Sequence, residues 1–496
     1  MNATLKNGKD LSPAAVLPGN KNLFYGGQWH APESGRFAET YNPANGEAIG
    51  ETAQATARDV AAAVDAASQA FKSWRKTKPL ERAELLRKAA GILRDNAEEL
   101  AMLDALNTGN PVAEMVADAK IAAANLDYFA GIAMEAKGQT IPVGDNNLNY
   151  TLREPLGVVV RVVAYNHPLM FAAQKLGAPL AAGNTVIIKP SEQAPLSAIR
   201  MAELIGGVFP PGVINVLTGA RECGEALTAH PLVKKITLIG STATGKAILR
   251  GGADTLKQVL LELGGKNPLI AYPDADLEKL ADGIVRGMNF TWAGQSCGST
   301  SRVFLHDDIH DKVLARVVEI LASRHKPGIP TDWATTMGPV ISKAHHQRVL
   351  DYIETSKREG ARLVTGGKTP SNPALANGYF IEPTIFADMR PGMTIANEEI
   401  FGPVMAVFRW KDEDEMFRIA NSVEYGLTAS IWTNNLTTAH RAASRVESGY
   451  VWINNVSQHF LGAPFGGHKS SGIGREESIE ELLEFTQIKN VNINLG

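Results

Sequence analysis

The chain has 496 residues, of which 44% are apolar and 20% charged, and its formal net charge is -3. This composition is ordinary for soluble globular proteins and argues against the disordered and membrane-spanning classes, while the balanced charge gives no reason to expect a nucleic-acid partner. A chain of this length exceeds the size of one hydrophobic core, so we expect two or more domains.

Its only cysteines, Cys223 and Cys297, are too few for a disulfide framework and favour a reducing compartment. The stretch MNATLKNGKDLSPAAVLPGNK lacks the apolar segment of a signal peptide, so we expect a cytoplasmic protein.

The first part of the chain combines short strands with helices. LFYGGQWH and RFAETYNPANGEAIG alternate apolar and polar residues around Gly and Pro, which is typical of short strands in a hairpin or meander. Residues 59–74 and 79–106 then place Ala, Val, Leu and Ile at helical spacing, and Pro79 suits a first helical turn. We therefore expect two amphipathic helices that pack on one side.

From Val158, short apolar runs alternate with helical stretches. The runs are GVVVRVVAYN, TVIIKPSE, VINVLTG and KITLIGS. Their nearly unbroken apolar character predicts strands that are buried on both faces of a parallel, doubly wound sheet. In such sheets ligands bind beyond the carboxyl ends of the strands. The informative residues are therefore those that follow each run, namely Asn166, Lys189, Glu192, Gly219, Gly240 and Ser241.

A second α/β unit with its own sheet is predicted from Val259 onward. VLLELGGKNPLIAY begins this unit, and it continues through RVFLH, ARLVTGG, PTIFAD, PVMAVFRW, SIWT and YVWIN. The tail, residues 482–494, alternates residue types with little reason to be a buried core strand. It is a candidate to pair at a sheet edge with another subunit.

The stretch GSTATGKA, Gly240 to Ala247, is similar to a nucleotide-hydrolysing P-loop. Such a loop ends in a Lys followed by a hydroxyl residue that holds Mg²⁺, and Ala247 stands at the place of that hydroxyl. A nucleotide hydrolase is therefore a distant alternative. A strand followed by Gly, small polar residues and a helix start still suits the phosphates of a dinucleotide, which free helix N–H groups bind.

The two cysteines lie in different surroundings. Cys223 stands beside Arg221 and Glu222 in a predicted loop after a strand, and we interpret it as a buried, inert thiol. Cys297 lies in GQSCGST, among small residues that leave room for a substrate to reach the sulfur. A buried, inert thiol is the common alternative, and we take Cys297 as the candidate nucleophile because of motifs elsewhere in the chain.

Motifs spread over nearly the whole chain resemble, in the same order, those of the aldehyde dehydrogenase superfamily. LELGGKNP begins at Leu261 and GQSC begins at Gly294. The other motifs are YNHPL at Tyr165, IKPSE at Ile188, FPPGVINVLTG at Phe209, IGSTATG at Ile239, EEIFGPV at Glu398, YGLTASIW at Tyr425 and PFGGHKSSGIGRE at Pro464. One such motif is a weak signal, whereas the ordered set is specific. By this resemblance GSTATG is a turn that meets the cofactor pyrophosphate, and Lys246 has no role in it.

The resemblance implies an α/β fold in three parts: a Rossmann-type cofactor domain, a second α/β catalytic domain and a small β oligomerisation element. We place the NAD-binding domain at residues 1–136 and 153–258 and the catalytic domain at residues 259–475. The oligomerisation element then comprises residues 137–152 and 476–496. A homodimer or homotetramer is implied, without a catalytic metal.

The implied reaction is the oxidation of an aldehyde to the carboxylic acid with reduction of NAD. Cys297 resembles the nucleophile that forms a thiohemiacetal and then a thioester. The side-chain amide of Asn166 and the backbone N–H of Cys297 match the donors that stabilise the oxyanion, each worth about 3 kcal/mol in comparable sites. The alternative for Asn166 is a helix cap before Pro168.

Glu262 resembles the general base that activates water to open the thioester. Its apolar neighbours Leu261 and Leu263 are expected to raise its pKa if the carboxyl is buried. Relatives that transfer the acyl group to coenzyme A lack this glutamate, so hydrolysis is favoured. Lys175, on the helix after YNHP, resembles a lysine often proposed to relay protons, and a surface lysine is the alternative.

The cofactor site is also inferred from the resemblance, since no G-x-G-x-x-G follows the first strands. Lys189 and Glu192 are expected to bind the adenosine ribose, and a carboxylate there accepts from a ribose 2′-hydroxyl but repels a 2′-phosphate, which favours NAD over NADP. Glu399, with Phe401 beside it, is expected to hold the nicotinamide ribose. The full set of expected cofactor residues is Lys189, Ser191, Glu192, Gly219, Gly240, Ser241, Leu263, Glu399 and Phe401.

The chain departs from the family at the substrate tunnel, where Ala164 and Tyr165 replace the usual Pro-Trp and His167 replaces an aromatic residue. The expected tunnel residues are Tyr165, Phe171, Gln174, Trp292, Ser296, Gly298, His459, Phe460 and Phe465. The mixture is wide and partly polar, so we expect an aromatic or polar-substituted aldehyde. A betaine or amino aldehyde, held by a partial aromatic cage, and a semialdehyde remain alternatives.

Overall fold

A computed structural model describes residues 11–496. Residues 1–10 of the N-terminal stretch in which we expected no signal peptide lie outside the described residues. Within residues 11–496, no helix is both long enough and apolar enough to cross a membrane.

Strands and helices are numbered here in chain order. The strands are β1 Leu23–Tyr25, β2 Gln28–His30, β3 Phe37–Tyr41, β4 Ala48–Ala53, β5 Thr140–Ile141, β6 Asn147–Pro155, β7 Val158–Val162, β8 Thr185–Lys189, β9 Ile214–Val216, β10 Val233–Ile239, β11 Gln258–Glu262, β12 Pro268–Ala271, β13 Arg302–His306, β14 Arg362–Thr365, β15 Thr384–Ala387, β16 Val404–Trp410, β17 Tyr425–Gly426, β18 Thr428–Trp432, β19 Tyr450–Ile453, β20 His468–Lys469, β21 Gly472–Ile473 and β22 Thr486–Asn494. The α-helices are α1 Pro13–Val16, α2 Ala57–Trp74, α3 Pro79–Asp95, α4 Ala97–Thr108, α5 Val112–Gly131, α6 Pro168–Gln174, α7 Gly177–Ala182, α8 Leu196–Ile205, α9 Arg221–Ala229, α10 Thr242–Gly252, α11 Leu277–Gly287, α12 His310–Arg324, α13 Lys343–Arg358, α14 Thr394–Asn397, α15 Glu413–Asn421, α16 Leu436–Arg445 and α17 Ile479–Glu484.

The first large sheet has eight strands in the order β2-β1-β9-β8-β7-β10-β11-β21. Its central strands β9, β8, β7, β10 and β11 are parallel, as the apolar runs predicted. Val159 and Ile188 pack into the apolar cluster that includes α3 and α5, whereas Val160 and Ile187 pack into the cluster that includes α2 and α9. Successive side chains of a strand point to opposite faces, so both faces of this sheet are buried, as in a doubly wound fold.

The second large sheet is separate from the first and has seven strands in the order β14-β15-β16-β13-β12-β18-β19. All the runs predicted downstream of residue 300 lie in it, and only the edge strand β14 is antiparallel to its neighbour. The prediction that this unit begins at Val259 is wrong for its first strand. That strand, β11, pairs with β10 in the first sheet, and the second sheet begins with β12. Two buried apolar strands look alike in sequence, so the pattern gave no sign of the change of sheet.

A third sheet has the order β22-β6-β5. The tail strand β22 pairs with β6 of the same chain over nine residue pairs and leaves its other edge unpaired. The strand begins at Thr486 and not at Leu482, because Leu482 lies in α17 and is fully buried. β6 likewise extends past Leu152 to Pro155.

The N-terminal hairpins agree with the prediction, with β1 paired to β2 and β3 paired to β4. The single helix expected over residues 79–106 is instead two helices, α3 and α4. They are separated by Asn96, whose side-chain amide donates to the Ile92 carbonyl at 2.7 Å, because an Asn side chain competes with the backbone for helical hydrogen bonds. α4 is buried almost all round, so it is not amphipathic as expected.

Candidate active site

The parallel strands of the first sheet bring five predicted site positions to one edge. Val162 at the end of β7 lies opposite Lys189 and Leu238, and Ile239 at the end of β10 lies opposite Glu262. Because parallel strands end at the same edge of a sheet, Asn166, Lys189, Gly219, Ser241 and Glu262 all follow or end strands at this edge. These predicted positions therefore lie at a common edge of the first sheet.

The Cys297 loop is clamped against the segment that follows Glu262. The side-chain amide of Asn267 donates to the Cys297 carbonyl at 2.7 Å and to the Ser299 carbonyl at 3.0 Å. Gly294 has a φ of 68°, and a Cβ at this position would overlap the Gly402 carbonyl oxygen. The turn thus requires glycine, and it holds the sulfur near the end of β11.

Cys297 as a residue is partly exposed, and burial of its thiol, followed by the charges of Glu399 and Glu262, raises the pKa of this thiol to about 12. The resting thiol is therefore neutral and must lose its proton to a base when it attacks. Cys223 is fully buried, and burial raises its pKa to about 12 as well. It lies in helix α9 and not in a loop as expected, and its burial agrees with an inert thiol.

Glu262 is buried, and neither carboxylate oxygen accepts a hydrogen bond from any residue in the described range. Burial, followed by the nearby charge of Glu476, raises its pKa well above the ordinary value. The direction of this shift is the one that its apolar neighbours predicted. An unpaired, buried carboxyl of raised pKa is suited to accept a proton near neutral pH.

Asn166 is buried directly after β7. Its main-chain oxygen accepts from the side-chain amide of Asn110 at 2.7 Å, which orients the turn. Among residues 11–496, no hydrogen bond engages the side-chain amide of Asn166, which leaves that amide free to donate. Helix α6 begins at Pro168, and the residue at its N-cap is His167, without a side-chain cap. The helix-cap alternative for Asn166 is therefore wrong.

Lys175, directly after α6, is buried and forms an ion pair with the Glu476 carboxylate. The alternative that Lys175 is a surface lysine is wrong. Glu476 also accepts from Arg161 at 2.9 Å, and Arg161 donates in turn to Glu481 at 3.1 Å. We did not single out these three residues from the sequence. The charge-rich run GREESIEE was the only signal, and its pattern is equally that of an exposed helix.

The expected adenosine-ribose residues lie directly after β8. The Lys189 ammonium lies 3.7 Å from the Glu192 carboxylate, and the Glu192 side chain is 56% exposed. The Ser191 hydroxyl accepts from the Gln193 N–H at 3.3 Å and shapes the turn between them. The Glu192 carboxylate thus lies near the Lys189 ammonium and is exposed, so that a ligand can reach it at this strand end.

The expected pyrophosphate turn follows β10. Gly240 precedes Ser241, whose hydroxyl caps α10 by accepting from the Thr244 N–H at 3.2 Å. Leu263 packs against Gly245 of the same helix, where a Cβ would be 2.9 Å from the leucine side chain. Gly219 has a φ of 149° and has no space for a side chain next to Cys223 and Ala55.

Glu399 and Phe401 reach the same region from the second sheet. Glu399 accepts from the Gly265 N–H at 2.9 Å, and burial raises its pKa to about 7. Phe401 has a φ of 57°, and its carbonyl oxygen lies 2.7 Å from His345 Nε2. The Phe401 ring meets the Tyr165 ring edge to face at 5.9 Å, so the expected nicotinamide-ribose residues adjoin the expected tunnel.

The expected tunnel residues form two groups. In the first, His167 places its ring between Phe171 and Trp292, with centroids at 5.5 and 4.9 Å. His167 Nδ1 lies 2.7 Å from Asp118, an acidic partner that the sequence did not reveal. Buried Gln174 is one helical turn from Phe171, and Ser296 and Gly298 flank the sulfur.

In the second group, His459 lies 4.5 Å from the Phe465 ring and stacks on Tyr450 at 5.9 Å. Its Nδ1 lies 3.0 Å from Glu477. Phe460 is 53% exposed and is at the outer side of this loop. Phe465 pairs with Glu476 through two backbone hydrogen bonds of 2.9 and 2.8 Å, and Glu476 contacts Lys175, directly after the helix that carries Phe171 and Gln174.

Comparisons with known proteins agree on one family. Residues 29–491 match the aldehyde dehydrogenase family. The chain is 57% identical to the aldehyde dehydrogenase tropH of Talaromyces stipitatus over 487 residues, which cover 97% of this chain and 95% of that protein. It is similar to the NAD⁺ complex of aldehyde dehydrogenase from Bacillus cereus, with a TM-score of 0.95, 40% identity and 100% of both chains covered. It is also similar to betaine aldehyde dehydrogenase of Staphylococcus aureus in complex with NAD⁺, with a TM-score of 0.93, 35% identity and 96% and 95% of the two chains covered. The chain therefore belongs to the aldehyde dehydrogenase family.

Proposed function

We propose that this enzyme oxidises an aromatic or polar-substituted aldehyde to the carboxylic acid with NAD as oxidant. Membership of the family gives the reaction class, an aldehyde dehydrogenase. One observation supports the residue assignment above all others. The loop of Cys297 is clamped by Asn267, and its thiol is close enough to feel the charge of a buried carboxyl, Glu262, whose two oxygens have no partner in the described chain.

The residues at the sheet edge fit a dinucleotide. Glu192 offers an exposed carboxylate to a ribose, and the turn Gly240–Ser241 leads into α10, whose first N–H groups suit a phosphate. Glu399 offers a second carboxyl next to the Cys297 loop. Because a carboxylate repels a 2′-phosphate, Glu192 supports NAD over NADP. When bound, the nicotinamide accepts the hydride that leaves the aldehyde carbon.

The first chemical task of the protein is to make the aldehyde carbon tetrahedral. The Cys297 sulfur adds to the carbonyl carbon as its proton passes to solvent water, so the free oxygens of Glu262 are kept for the later hydrolysis step. The carbonyl oxygen becomes an oxyanion. The Asn166 side-chain amide and the Cys297 N–H are the donors that stabilise it.

The second task is hydrolysis of the thioester left on Cys297. Glu262 takes a proton from water, the resulting hydroxide adds to the thioester carbon, and the sulfur leaves as the carboxylic acid forms. Lys175 and Glu476 lie next to Glu262 and are placed to pass the proton away. Free oxygens on Glu262 are required for this step, because a carboxylate engaged in strong hydrogen bonds is a poor base.

The tunnel supports a substrate that combines a ring with a polar group. Tyr165, Phe171, Trp292 and Phe465 supply aromatic surface, and His459 supplies a ring nitrogen oriented by Glu477. We expect hydroxybenzaldehydes and related aldehydes to exceed short aliphatic aldehydes in kcat/KM. His459→Phe should lower kcat/KM for hydroxybenzaldehyde about fivefold relative to benzaldehyde, which corresponds to one hydrogen bond of about 1 kcal/mol. His440→Leu, at an exposed position of α16, is the control.

The test of the proposal is formation of NADH over a panel of aromatic, aliphatic, semialdehyde, amino and betaine aldehydes. Higher kcat/KM for short aliphatic aldehydes than for benzaldehydes would reject the aromatic assignment, and a preference for betaine aldehyde would favour the cage alternative. No NADH with any aldehyde would reject the function. Nucleotide hydrolysis has no structural support, since Lys246 is 55% exposed and lies 3.9 Å from Glu424, with Ala247 beside it.

We propose the three-part domain division given above, except that β11 is assigned to the NAD-binding domain, with assembly as a homodimer or homotetramer through the third sheet. The unpaired edge of β22 supports this assembly, as do exposed Ile488, Ile493 and Leu495 on and after that strand, because a free apolar edge tends to pair with another chain. Analytical ultracentrifugation of the intact chain tests the assembly. Two free cysteines support a reducing compartment, for which we propose the cytoplasm.

A further inference from the structure

Arg161 is an unusual residue for a central strand. It lies on β7, its side chain is fully buried, and its guanidinium rests over the Phe485 ring at 4.8 Å. One nitrogen, Nη2, donates to both Glu476 and Glu481, whereas Nε and Nη1 have no partner among the described residues. Burying a guanidinium is costly unless its charge is paired and hydrogen-bonded. The incomplete pairing of Arg161 therefore indicates a role beyond packing.

Arg161 holds both ends of the segment that carries Glu476. Glu481, on α17, accepts from Arg161 with one oxygen and from the Glu477 N–H at 2.8 Å with the other. Glu476 accepts from Arg161 with one oxygen and contacts Lys175 with the other. The position of the Glu476 carboxylate is therefore set by two buried cations.

The charges around Glu262 come from several elements. The groups that face it directly are Glu476, Lys175, Glu477 and Arg475, with the Cys297 thiol on the substrate side. Arg161 and Glu481 stand behind Glu476, and His459 pairs with Glu477. In the buried cluster, the positive charges of Arg161 and Lys175 offset the negative charges of Glu476 and Glu481. Glu262 is thus the carboxyl of this cluster whose oxygens no described residue bonds, although the charges of Lys175 and Arg475 act on it.

We propose that Arg161 is a positioning residue for thioester hydrolysis, which fixes and neutralises the Glu476 carboxylate so that Glu262 can act as base near neutral pH. This inference rests on the proposed role of Glu262. Without the Arg161 charge, Glu476 and Glu481 lose the one cation that both of them bond. A more negative surrounding favours the protonated form of Glu262, and a protonated carboxyl cannot accept a proton from water.

The experiment uses the full-length protein and p-nitrophenyl acetate, which requires the thiol and the base but no nucleotide. The Cys297 sulfur displaces p-nitrophenolate to give an acetyl thioester, and water then releases acetate. The burst of p-nitrophenolate reports acylation, and the steady rate reports hydrolysis. Both are measured against pH for wild type, Arg161→Gln, Arg161→Lys and the double variant Arg161→Gln/Glu481→Gln.

We expect Arg161→Gln to keep the burst of p-nitrophenolate. The acidic limb of its steady rate should move to a pH about one unit higher than in the wild type, so that at pH values below the limb the steady rate is about tenfold lower. The double variant removes one charge of each sign, so its limb should return most of the way to the wild-type position. Arg161→Lys, which keeps the charge, should shift the limb less than Arg161→Gln does. If Arg161→Gln does not fold, the Lys variant and the double variant carry the comparison with wild type.

A limb that stays at its wild-type position in Arg161→Gln would overturn the inference. The inference would also be overturned if the acidic limb of Arg161→Gln/Glu481→Gln shifted as far as that of Arg161→Gln. A purely structural ion pair would behave in this way, because removing its second partner would not restore the rate. Glu262→Gln separates this result from failure of the proposed function. If Glu262→Gln retains wild-type hydrolysis, Glu262 is not the base, and the parent assignment fails whatever Arg161 does.

Discussion

Glu262→Gln should separate catalysis from stability. The side chain is buried and its two oxygens accept no hydrogen bond from the described residues, so glutamine removes no such bond from the folded protein. A lost hydrogen bond would cost about 1 kcal/mol, and here that cost is absent. Glutamine also has no charge to bury next to Glu476. The variant should therefore be at least as stable as the wild type at neutral pH.

The same change should strongly reduce turnover. Removal of a general base lowers a rate by about 10²–10⁴-fold, which corresponds to roughly 3–5 kcal/mol at 1.4 kcal/mol per tenfold. Because Glu262 acts in hydrolysis of the thioester, the loss should fall on the steady rate. A first turnover should still release a burst of NADH.

The pH dependence of stability provides an independent check. Burial raises the pKa of Glu262 in the folded protein, so the folded state binds this proton more tightly than the unfolded chain does. The stabilisation that the proton gives is complete below the unfolded pKa and is lost as the pH rises through the folded pKa. The Tm of Glu262→Gln relative to wild type should therefore increase with pH across this range.

The assays are stopped-flow NADH formation and thermal unfolding at several pH values. Glu413→Gln is the matched control, because Glu413 lies on α15 and pairs with Arg441 at 3.1 Å. It should lose a little stability and retain activity. A Glu262→Gln variant that loses several degrees of Tm, or that turns over at the wild-type rate, would refute the reasoning.

Three further predictions concern other site residues. Iodoacetamide should label Cys297 and leave Cys223 unlabelled, because the second thiol is fully buried in α9; peptide mass spectrometry distinguishes the two, and equal labelling would contradict it. Asn166→Ala should reduce kcat about 10²–10³-fold through loss of an oxyanion donor, with an unchanged Tm because its side chain bonds no described residue, and an unaffected kcat would remove Asn166 from the mechanism. Glu192→Gln should lower the ratio of kcat/KM for NAD to that for NADP by removing a charge that repels the 2′-phosphate, and an unaltered ratio would count against this ribose site.

Much of the fold followed from local patterns. The alternation of apolar runs and helical stretches predicted two parallel sheets, because strands buried on both faces must be apolar throughout. The sequence patterns were less informative about where each element ends and about which sheet each strand belongs to. The run VLLELGG looked like the first strand of the second sheet, but it is β11 of the first, since hydrophobicity does not encode which neighbour a strand pairs with. The break at Asn96 was missed because one polar residue hardly disturbs a helical period.

The predicted strand ends indicated where the candidate site lies, but they did not indicate which charged residues surround it. Asn166, Lys189 and Ser241 were singled out because parallel strands end at one edge, whereas Glu262 was inferred only from the family resemblance. Arg161, Glu476 and Glu481 were missed, since a single charge in an apolar strand and a charge-rich run near the C-terminus carry no sign of meeting. Asp118 beside His167 was missed for the same reason.

The sequence by itself determined the reaction class and the two sheets and offered candidate site residues, because these depend on periodicity and on ordered local motifs. Only the tertiary structure decided that Lys175 is buried, that both oxygens of Glu262 are unpaired, and that a cation from the middle of one strand faces carboxylates more than 300 residues away. The physical reason is that burial and charge pairing are set by packing between distant segments, while strand and helix patterns are set by neighbours along the chain.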